Sequence, residues 1–72
     1  MDKNMLRSFM SKHGETQASL AKSMGISLSR LNAKINGTGG AEFNQSEIAF
    51  IANRYKMNAK EINSVFFARK VS

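Results

Sequence analysis

Residues 28–36 carry side chains suited to hydrogen bonding with the edges of nucleic-acid bases. Arg30 can donate two hydrogen bonds to the O6 and N7 atoms of guanine, and Ser29 and Asn32 can each donate or accept. The methyl group of Ala33 can contact a thymine methyl group. None of the five acidic residues of the chain falls between positions 17 and 36, so no carboxylate in this segment would repel a phosphate backbone. Recognition of bases by these side chains requires a secondary-structure element that presents them on one face.

Apolar residues at helical spacing predict that element. Leu28, Leu31 and Ile35 recur at i, i+3 and i+7, which places them on the inner side of a helix over residues 28–36. The predicted outer face and its flanks carry Ser29, Arg30, Asn32, Ala33 and Asn36. Leu28 has two interpretations, because the first residue of such a helix can pack into the core or point toward a DNA groove and contact thymine methyl groups.

A second short helix and a sharp turn precede this element. The inner side of the first helix carries Leu20, Ala21 and Met24. Thr16 is placed to cap its start, and Gly25, which adopts a positive φ readily, stands where it must stop. Ser27 can then cap the amide groups that open the helix over residues 28–36. The pattern predicts two helices joined by a tight turn.

The spacing of these residues resembles the helix-turn-helix of phage repressors and Cro-type regulators. The residues that carry the resemblance are Thr16, Gln17, Leu20, Ala21, Gly25, Leu31, Asn36 and Gly37. Within that family, residues 16–67 look most like small repressor-like domains from phages of Gram-positive bacteria, which end in a similar pair of phenylalanines. The resemblance implies a recognition helix in the major groove. On the helical wheel the residues that face the bases are Ser29, Arg30, Asn32 and Ala33, and Leu28 is a further candidate at a position where the family commonly has a polar residue.

The resemblance also implies contacts with the DNA backbone. Gln17, at the first position of its helix, is similar to the family residue that holds a phosphate, and Asn36, at the end of the recognition helix, is similar to another. Ser27 and Lys34 complete the predicted phosphate-contacting set, and Lys22 is a weaker candidate. The formal net charge of +6 agrees with a polyanionic partner, although charge alone does not distinguish DNA from RNA or anionic lipid.

The positions of the acids set the recognition helix apart. Four of the five acidic residues lie at or near predicted helix starts, and they are Asp2, Glu15, Glu47 and Glu61. Glu47 and Glu61 have the capping-box spacing with Asn44 and Asn58. Arg30 occupies the corresponding position of the recognition helix, where the helix dipole favours an anion. One interpretation is a solvated arginine, at a cost of only a few tenths of a kcal/mol; the other is that DNA supplies the missing negative charge.

Length and composition predict one small domain. The chain of 72 residues should form a compact, all-α, five-helix bundle over residues 1–67, followed by a basic C-terminal tail at 68–72. The predicted helices begin near Lys3, Gln17, Leu28, Asn44 and Asn58. The longest apolar run, residues 48–52, is too short to span a membrane, and the N-terminus does not read as a secretory signal. We expect a protein of the bacterial cytoplasm that associates with the nucleoid when bound.

Catalysis, cofactors and metals find no support in the sequence. His13 is the single histidine and cysteine is absent, so the usual His/Cys metal site cannot be assembled. No acid is clearly placed to orient His13, and no serine lies in a nucleophile-elbow context. We therefore expect a protein that is not an enzyme and binds no small-molecule ligand.

Three phenylalanines suggest an interface. Phe50 lies opposite the predicted inner stripe of its helix, and Phe66 and Phe67 end the last helix. Together they could form the contact of a two-fold homodimer, which would set two recognition helices about one DNA turn apart. The simpler alternative is that Phe66 and Phe67 close the core of a monomer.

These inferences predict a sequence-specific regulator of transcription that binds a double-stranded DNA operator. Two alternatives stay open at this point. One is a protein-interaction adaptor or antirepressor that keeps the fold but uses the Phe50 face to bind another regulator. The other is a basic, helical RNA-binding domain.

Overall fold

Five α-helices make up the fold of residues 1–67, which are the residues that the computed structural model describes. They are α1 (Lys3–Lys12), α2 (Gln17–Met24), α3 (Leu28–Asn36), α4 (Gln45–Arg54) and α5 (Ala59–Phe66). No strand occurs within this range. The prediction of an all-α chain of five helices is confirmed, whereas the predicted tail at 68–72 lies outside the described residues.

Side-chain caps set the helix starts, as the chain has no proline to do so. Each of the five helices has a capping side chain that accepts a hydrogen bond from a backbone N–H of the first turn at 2.8 to 3.1 Å, and these residues are Asp2, Thr16, Ser27, Asn44 and Asn58. Glu47 and Glu61 complete the predicted capping boxes of α4 and α5. In α2 the reciprocal contact comes from Ser19, whose hydroxyl accepts from the Thr16 N–H at 3.0 Å.

The core draws on every α-helix. Its fully buried side chains are Leu6, Leu20, Leu31, Ile51 and Val65, one from each helix. Large apolar side chains buried to this degree are worth about 1.5–3 kcal/mol each relative to exposure. The two ends of the described chain also meet, because the Asp2 N–H donates to the Val65 carbonyl at 2.7 Å. The core is therefore closed by α1 against α5.

The glycine-rich segment after α3 is irregular, with positive φ angles at Gly37, Gly39 and Gly40. A single 3-10 turn occupies Thr38–Gly40, and Gly39 within it has a left-handed φ of 60°. Ala41 donates its N–H to the Thr38 carbonyl at 3.1 Å, which closes that turn.

None of the helices described has the length and apolar character that crossing a bilayer requires.

Candidate nucleic-acid interface

A tight turn between α2 and α3 sets the direction of α3. Gly25 ends α2 in the left-handed region, with φ 73° and ψ 27°. The following N–H, from Ile26, donates back to the Ala21 carbonyl at 3.0 Å, which satisfies an open carbonyl of the last turn of α2. Ser27 then starts α3 by accepting the Arg30 N–H at 3.1 Å. Two helices with a short fixed turn result, as the sequence predicts, and they pack directly on each other.

The outer face of α3 is polar and accessible. Leu31 is fully buried and Ile35 is 4 % exposed, so these two side chains hold α3 on the core. The predicted base-reading residues Ser29, Arg30 and Asn32 are all exposed, and Ala33 is half-buried at the edge of this face. The structure therefore keeps the predicted polar set on one side of the helix.

Leu28 corrects the helical-wheel prediction. By angle it falls on the inner side with Leu31 and Ile35, but its side chain is 46 % exposed. The wheel ignores position along the axis: Leu28 is the first residue of α3, and its side chain leans toward the N-terminal end of the helix. The interpretation of Leu28 as a core residue is wrong, and an apolar side chain stands at the exposed start of α3.

Lys34 is a second correction, because its ammonium group is already occupied. The Nζ atom lies 2.7 Å from Oε1 and 2.8 Å from Oε2 of Glu47, and 3.4 Å from the Glu42 carbonyl oxygen. The Lys34 and Glu47 side chains are only 10 % and 16 % exposed. An ammonium has three N–H donors, and all three have acceptors here. Lys34 ties α3 to α4, so it does not stand as an available phosphate ligand.

Glu47 also changes how Arg30 is interpreted. Burial raises the pKa of Glu47, but hydrogen bonds from Lys34 and the Asn44 N–H, together with the charges of Lys34 and Arg30, bring that pKa below its usual value. Glu47 is therefore ionised, and its charge interacts favourably with that of Arg30. The Arg30 guanidinium still has no hydrogen-bond acceptor among residues 1–67, and the side chain is exposed.

The other predicted phosphate ligands have donors to offer. Ser27 uses a lone pair of its hydroxyl oxygen as the cap of α3, so its O–H proton is not required by the cap. Asn36 is exposed at the last position of α3, next to Gly37 at a φ of 68°. Gln17 is half-buried at the first position of α2. Phosphate contact by these three residues stays a prediction.

A cluster around Glu15 was not anticipated from the sequence. The Glu15 carboxylate accepts hydrogen bonds from Nε and Nη2 of Arg54, from the Tyr55 hydroxyl at 2.9 Å and from the Ser19 hydroxyl at 2.7 Å. The Arg54 hydrogen bond, reinforced by those from Ser19 and Tyr55 and opposed by burial, lowers the pKa of Glu15 to about 2. The cluster fixes the start of α2 to the end of α4, and thereby helps hold the α2–α3 pair.

The three phenylalanines do not share one surface. Phe50 is 38 % exposed and lines a small open cavity of about 200 Å³ with Met24. Phe66 is half-buried and meets Phe43 edge to face, with ring centroids 5.8 Å apart, so it belongs in part to the core. Phe67 is 58 % exposed beside a groove that Phe66 and Phe43 also line. Phe50 therefore lines a different cavity from Phe66 and Phe67.

The His13 side chain packs against another aromatic ring. Its ring stacks on the ring of Tyr55, with centroids 5.1 Å apart and planes inclined by 27°. Among residues 1–67 there is no group of three His, Asp or Glu side chains arranged to hold a metal ion.

Comparison with known proteins assigns no family to the chain. No protein-family model, no curated protein and no solved structure matches it. The function must therefore be inferred from the charges, exposures and contacts of the chain's own residues.

Proposed function

We propose that the chain is a sequence-specific regulator that binds double-stranded DNA, of the phage repressor or Cro type. In this proposal α2, the Gly25 turn and α3 form a helix-turn-helix, and α3 enters the major groove of an operator. Ser29, Arg30, Asn32 and Ala33 face the bases, with Leu28 against thymine methyl groups, while Gln17, Ser27 and Asn36 hold phosphates. The protein acts in the bacterial cytoplasm, as a homodimer on DNA that uses Phe67.

One observation supports this proposal more than the others. The exposed face of α3 is polar, has no acidic side chain and carries Arg30, whose guanidinium has no acceptor among the described residues. Leu31 and Ile35 anchor the helix from behind, so the face is rigidly presented. A fixed helix with an available guanidinium meets the geometric need of bidentate guanine readout. The net charge of +6 adds the long-range attraction that DNA binding requires.

Selection of bound duplexes from a random pool tests the proposal directly. The expected result is an enriched motif with two half-sites about one helical turn apart, since a two-fold dimer places its recognition helices at that spacing. Arg30→Ala should cost about 1–3 kcal/mol and relax the base preference at one position of each half-site. Lys12→Ala is the matched control, because Lys12 is exposed on α1 and lies 5.6 Å over the Phe9 ring. An unenriched pool would contradict the proposal.

A second candidate function is favoured by the apolar side chains near the turn. Leu28 and Phe50 are 46 % and 38 % exposed, and Phe50 adjoins Met24 at the end of α2. Exposed large apolar residues that cluster are typical of protein interfaces. In this candidate the same fold is an adaptor or antirepressor that binds another regulator through the Phe50 face.

Phe50→Ser separates the two candidates. For a DNA-binding regulator, Phe50→Ser should leave the affinity for the selected duplex unchanged, because Phe50 lies on α4 and outside the proposed readout face. For an adaptor, the random pool would return no motif, and Phe50→Ser would abolish co-purification with a candidate regulator while Arg30→Ala would not.

A further inference from the structure

Two cations lie on the same flank of α3 but have different surroundings. Arg30 and Lys34 are four residues apart, so their side chains are neighbours on the helix surface, where like charges repel. Glu47, in the first turn of α4, contacts Lys34 directly, and the charge of Arg30 contributes to the lowered pKa of Glu47 without a contact. Lys34 is therefore paired within the protein, whereas Arg30 is exposed to solvent.

Lys34 is fully engaged by the protein. Its Nζ atom contacts both oxygens of Glu47, at 2.7 and 2.8 Å, and the Glu42 carbonyl at 3.4 Å, with the side chain 10 % exposed. To contact a phosphate, Lys34 would have to leave these three acceptors. Arg30, one turn earlier, is exposed and has no such acceptor within residues 1–67.

Glu47 is itself held in place, so the pair is preorganised. Its Oε1 atom accepts the Asn44 N–H at 2.9 Å, and its own N–H donates to the Asn44 side chain at 2.8 Å. The carboxylate thus completes the cap of α4 and faces Lys34 from a fixed position. The cap alone does not require a partner across the fold, since Glu61 caps α5 in the same way without an ion pair among the described residues.

We propose that Glu47 determines specificity by withholding Lys34 from the phosphate backbone. This inference rests on the proposed function, in which α3 lies in the major groove. A lysine on a phosphate binds every sequence equally well, whereas an arginine on a base edge discriminates. By keeping Lys34, Glu47 lowers sequence-independent binding and leaves Arg30 as the cation of this flank that faces bases. Glu47 is a positioning residue that does not itself touch DNA.

The salt dependence of binding gives a readout that a merely structural role would not change. Each phosphate neutralised by the protein steepens the plot of log K against log salt concentration by about 0.9. Glu47→Gln keeps a capping side chain but removes the charge that holds Lys34. We expect its slope on a random-sequence duplex to steepen by about 0.9 and its random-duplex affinity to rise by up to about eightfold near 0.1 M salt. Affinity for the selected duplex should rise less, because base contacts fix the register, so the specificity ratio falls.

Glu61→Gln is the matched control. It changes the same residue type at the same capping position by the same charge, but it releases no lysine. The salt-dependence slope of Glu61→Gln on the random-sequence duplex should equal that of the wild-type protein. Lys34→Met alone should also leave the slope unchanged, because Lys34 makes no phosphate contact while Glu47 holds it. In the Glu47→Gln background, Lys34→Met should restore the wild-type slope.

The outcomes separate this inference from the proposed function. A wild-type protein that binds no duplex would overturn both. A wild-type protein that selects a motif, with an unchanged slope in Glu47→Gln, would overturn only the role of Glu47. A slope that becomes shallower by about 0.9 in Lys34→Met alone would also overturn the role of Glu47, since it would mean that Lys34 already contacts a phosphate in the wild-type protein. Lys34→Met leaves the cap of α4 intact, so it keeps the test decisive even where Glu47→Gln folds poorly.

Discussion

At the residue scale, Leu28 and Leu31 differ in role although they are the same residue type in the same helix. Leu31 is fully buried and Leu28 is 46 % exposed. Their separation of three residues places them within one stripe of a helical wheel. The difference comes from position along the helix, because the core covers the middle of α3 and leaves its first residue uncovered.

This contrast predicts opposite effects of one substitution. Leu31→Ala should lower the free energy of unfolding by about 2–5 kcal/mol, because it leaves a cavity in the core. Leu28→Ala should change it by no more than about 0.5 kcal/mol, as most exposed positions do, and should weaken binding of the selected duplex if Leu28 contacts thymine methyl groups. Urea unfolding followed by circular dichroism measures both stabilities. A loss above about 2 kcal/mol in Leu28→Ala would mean that Leu28 is a core residue after all.

At the element scale, the turn between α2 and α3 depends on backbone conformation more than on space. Gly25 has a φ of 73°, and a Cβ atom added there would meet nothing within 4 Å. Any cost of a side chain at this position therefore comes from the left-handed conformation itself. Lys56, just after α4, has a φ of 52° and is the one non-glycine residue with a positive φ among residues 1–67.

These two positions predict reciprocal effects on stability. Gly25→Ala should cost about 1–2 kcal/mol in left-handed strain, of which about 0.4–1 kcal/mol is offset by the stiffer unfolded chain. Gly25→Asn should cost less, since asparagine tolerates this region. Lys56→Gly should be neutral or slightly stabilising for the converse reason. Thermal unfolding of the three variants tests the set, and a clear stabilisation by Gly25→Ala would contradict it.

At the scale of the whole molecule, two ion pairs join segments that are far apart in sequence. Glu15 meets Arg54 and Tyr55 across 39 and 40 residues, and Lys34 meets Glu47 across 13. Burial, followed by the hydrogen bond and charge of Glu15, raises the pKa of Tyr55, and the Glu15 hydrogen bond raises that of Arg54. Both contacts fasten α4 to the α2–α3 pair, so α4 helps to hold the two helices of the candidate interface in place.

The Glu15 cluster predicts a dependence of stability on acid. Its pKa is lowered to about 2 in the folded protein, from a usual value of 4.5, so the unfolded chain binds the proton first as the pH falls. The stabilisation is fully present above about pH 5 and is lost between about pH 4.5 and 2. Glu15→Gln should cost about 1–2 kcal/mol at neutral pH, and its difference from the wild-type protein should shrink through that window.

Glu42→Gln provides the comparison for this experiment. The Glu42 side chain is exposed and forms no ion pair among residues 1–67, so its removal should leave the acid dependence unchanged. Urea unfolding at a series of pH values measures all three proteins. A difference between the wild-type protein and Glu15→Gln that stays constant down to pH 2 would contradict the assigned cluster.

The sequence by itself determined the helices and their ends. Periodic apolar residues and local caps specify these features within a few neighbouring residues, as at Thr16, Gly25 and Ser27, so they can be read without the fold. The polar composition of the outer face of α3 was predictable for the same reason. The resemblance to repressor-like domains and the function that it implies stay predictions.

Only the tertiary structure decided which of these side chains are available. Local spacing cannot show that Glu47 occupies Lys34, that Glu15 joins Arg54, or that the core leaves Leu28 uncovered. Each of these outcomes depends on contacts between residues distant in sequence, or on where a helix ends against the core. A charged or apolar side chain can contact an external partner only when no other part of the chain already contacts it. This availability depends on how the whole molecule packs.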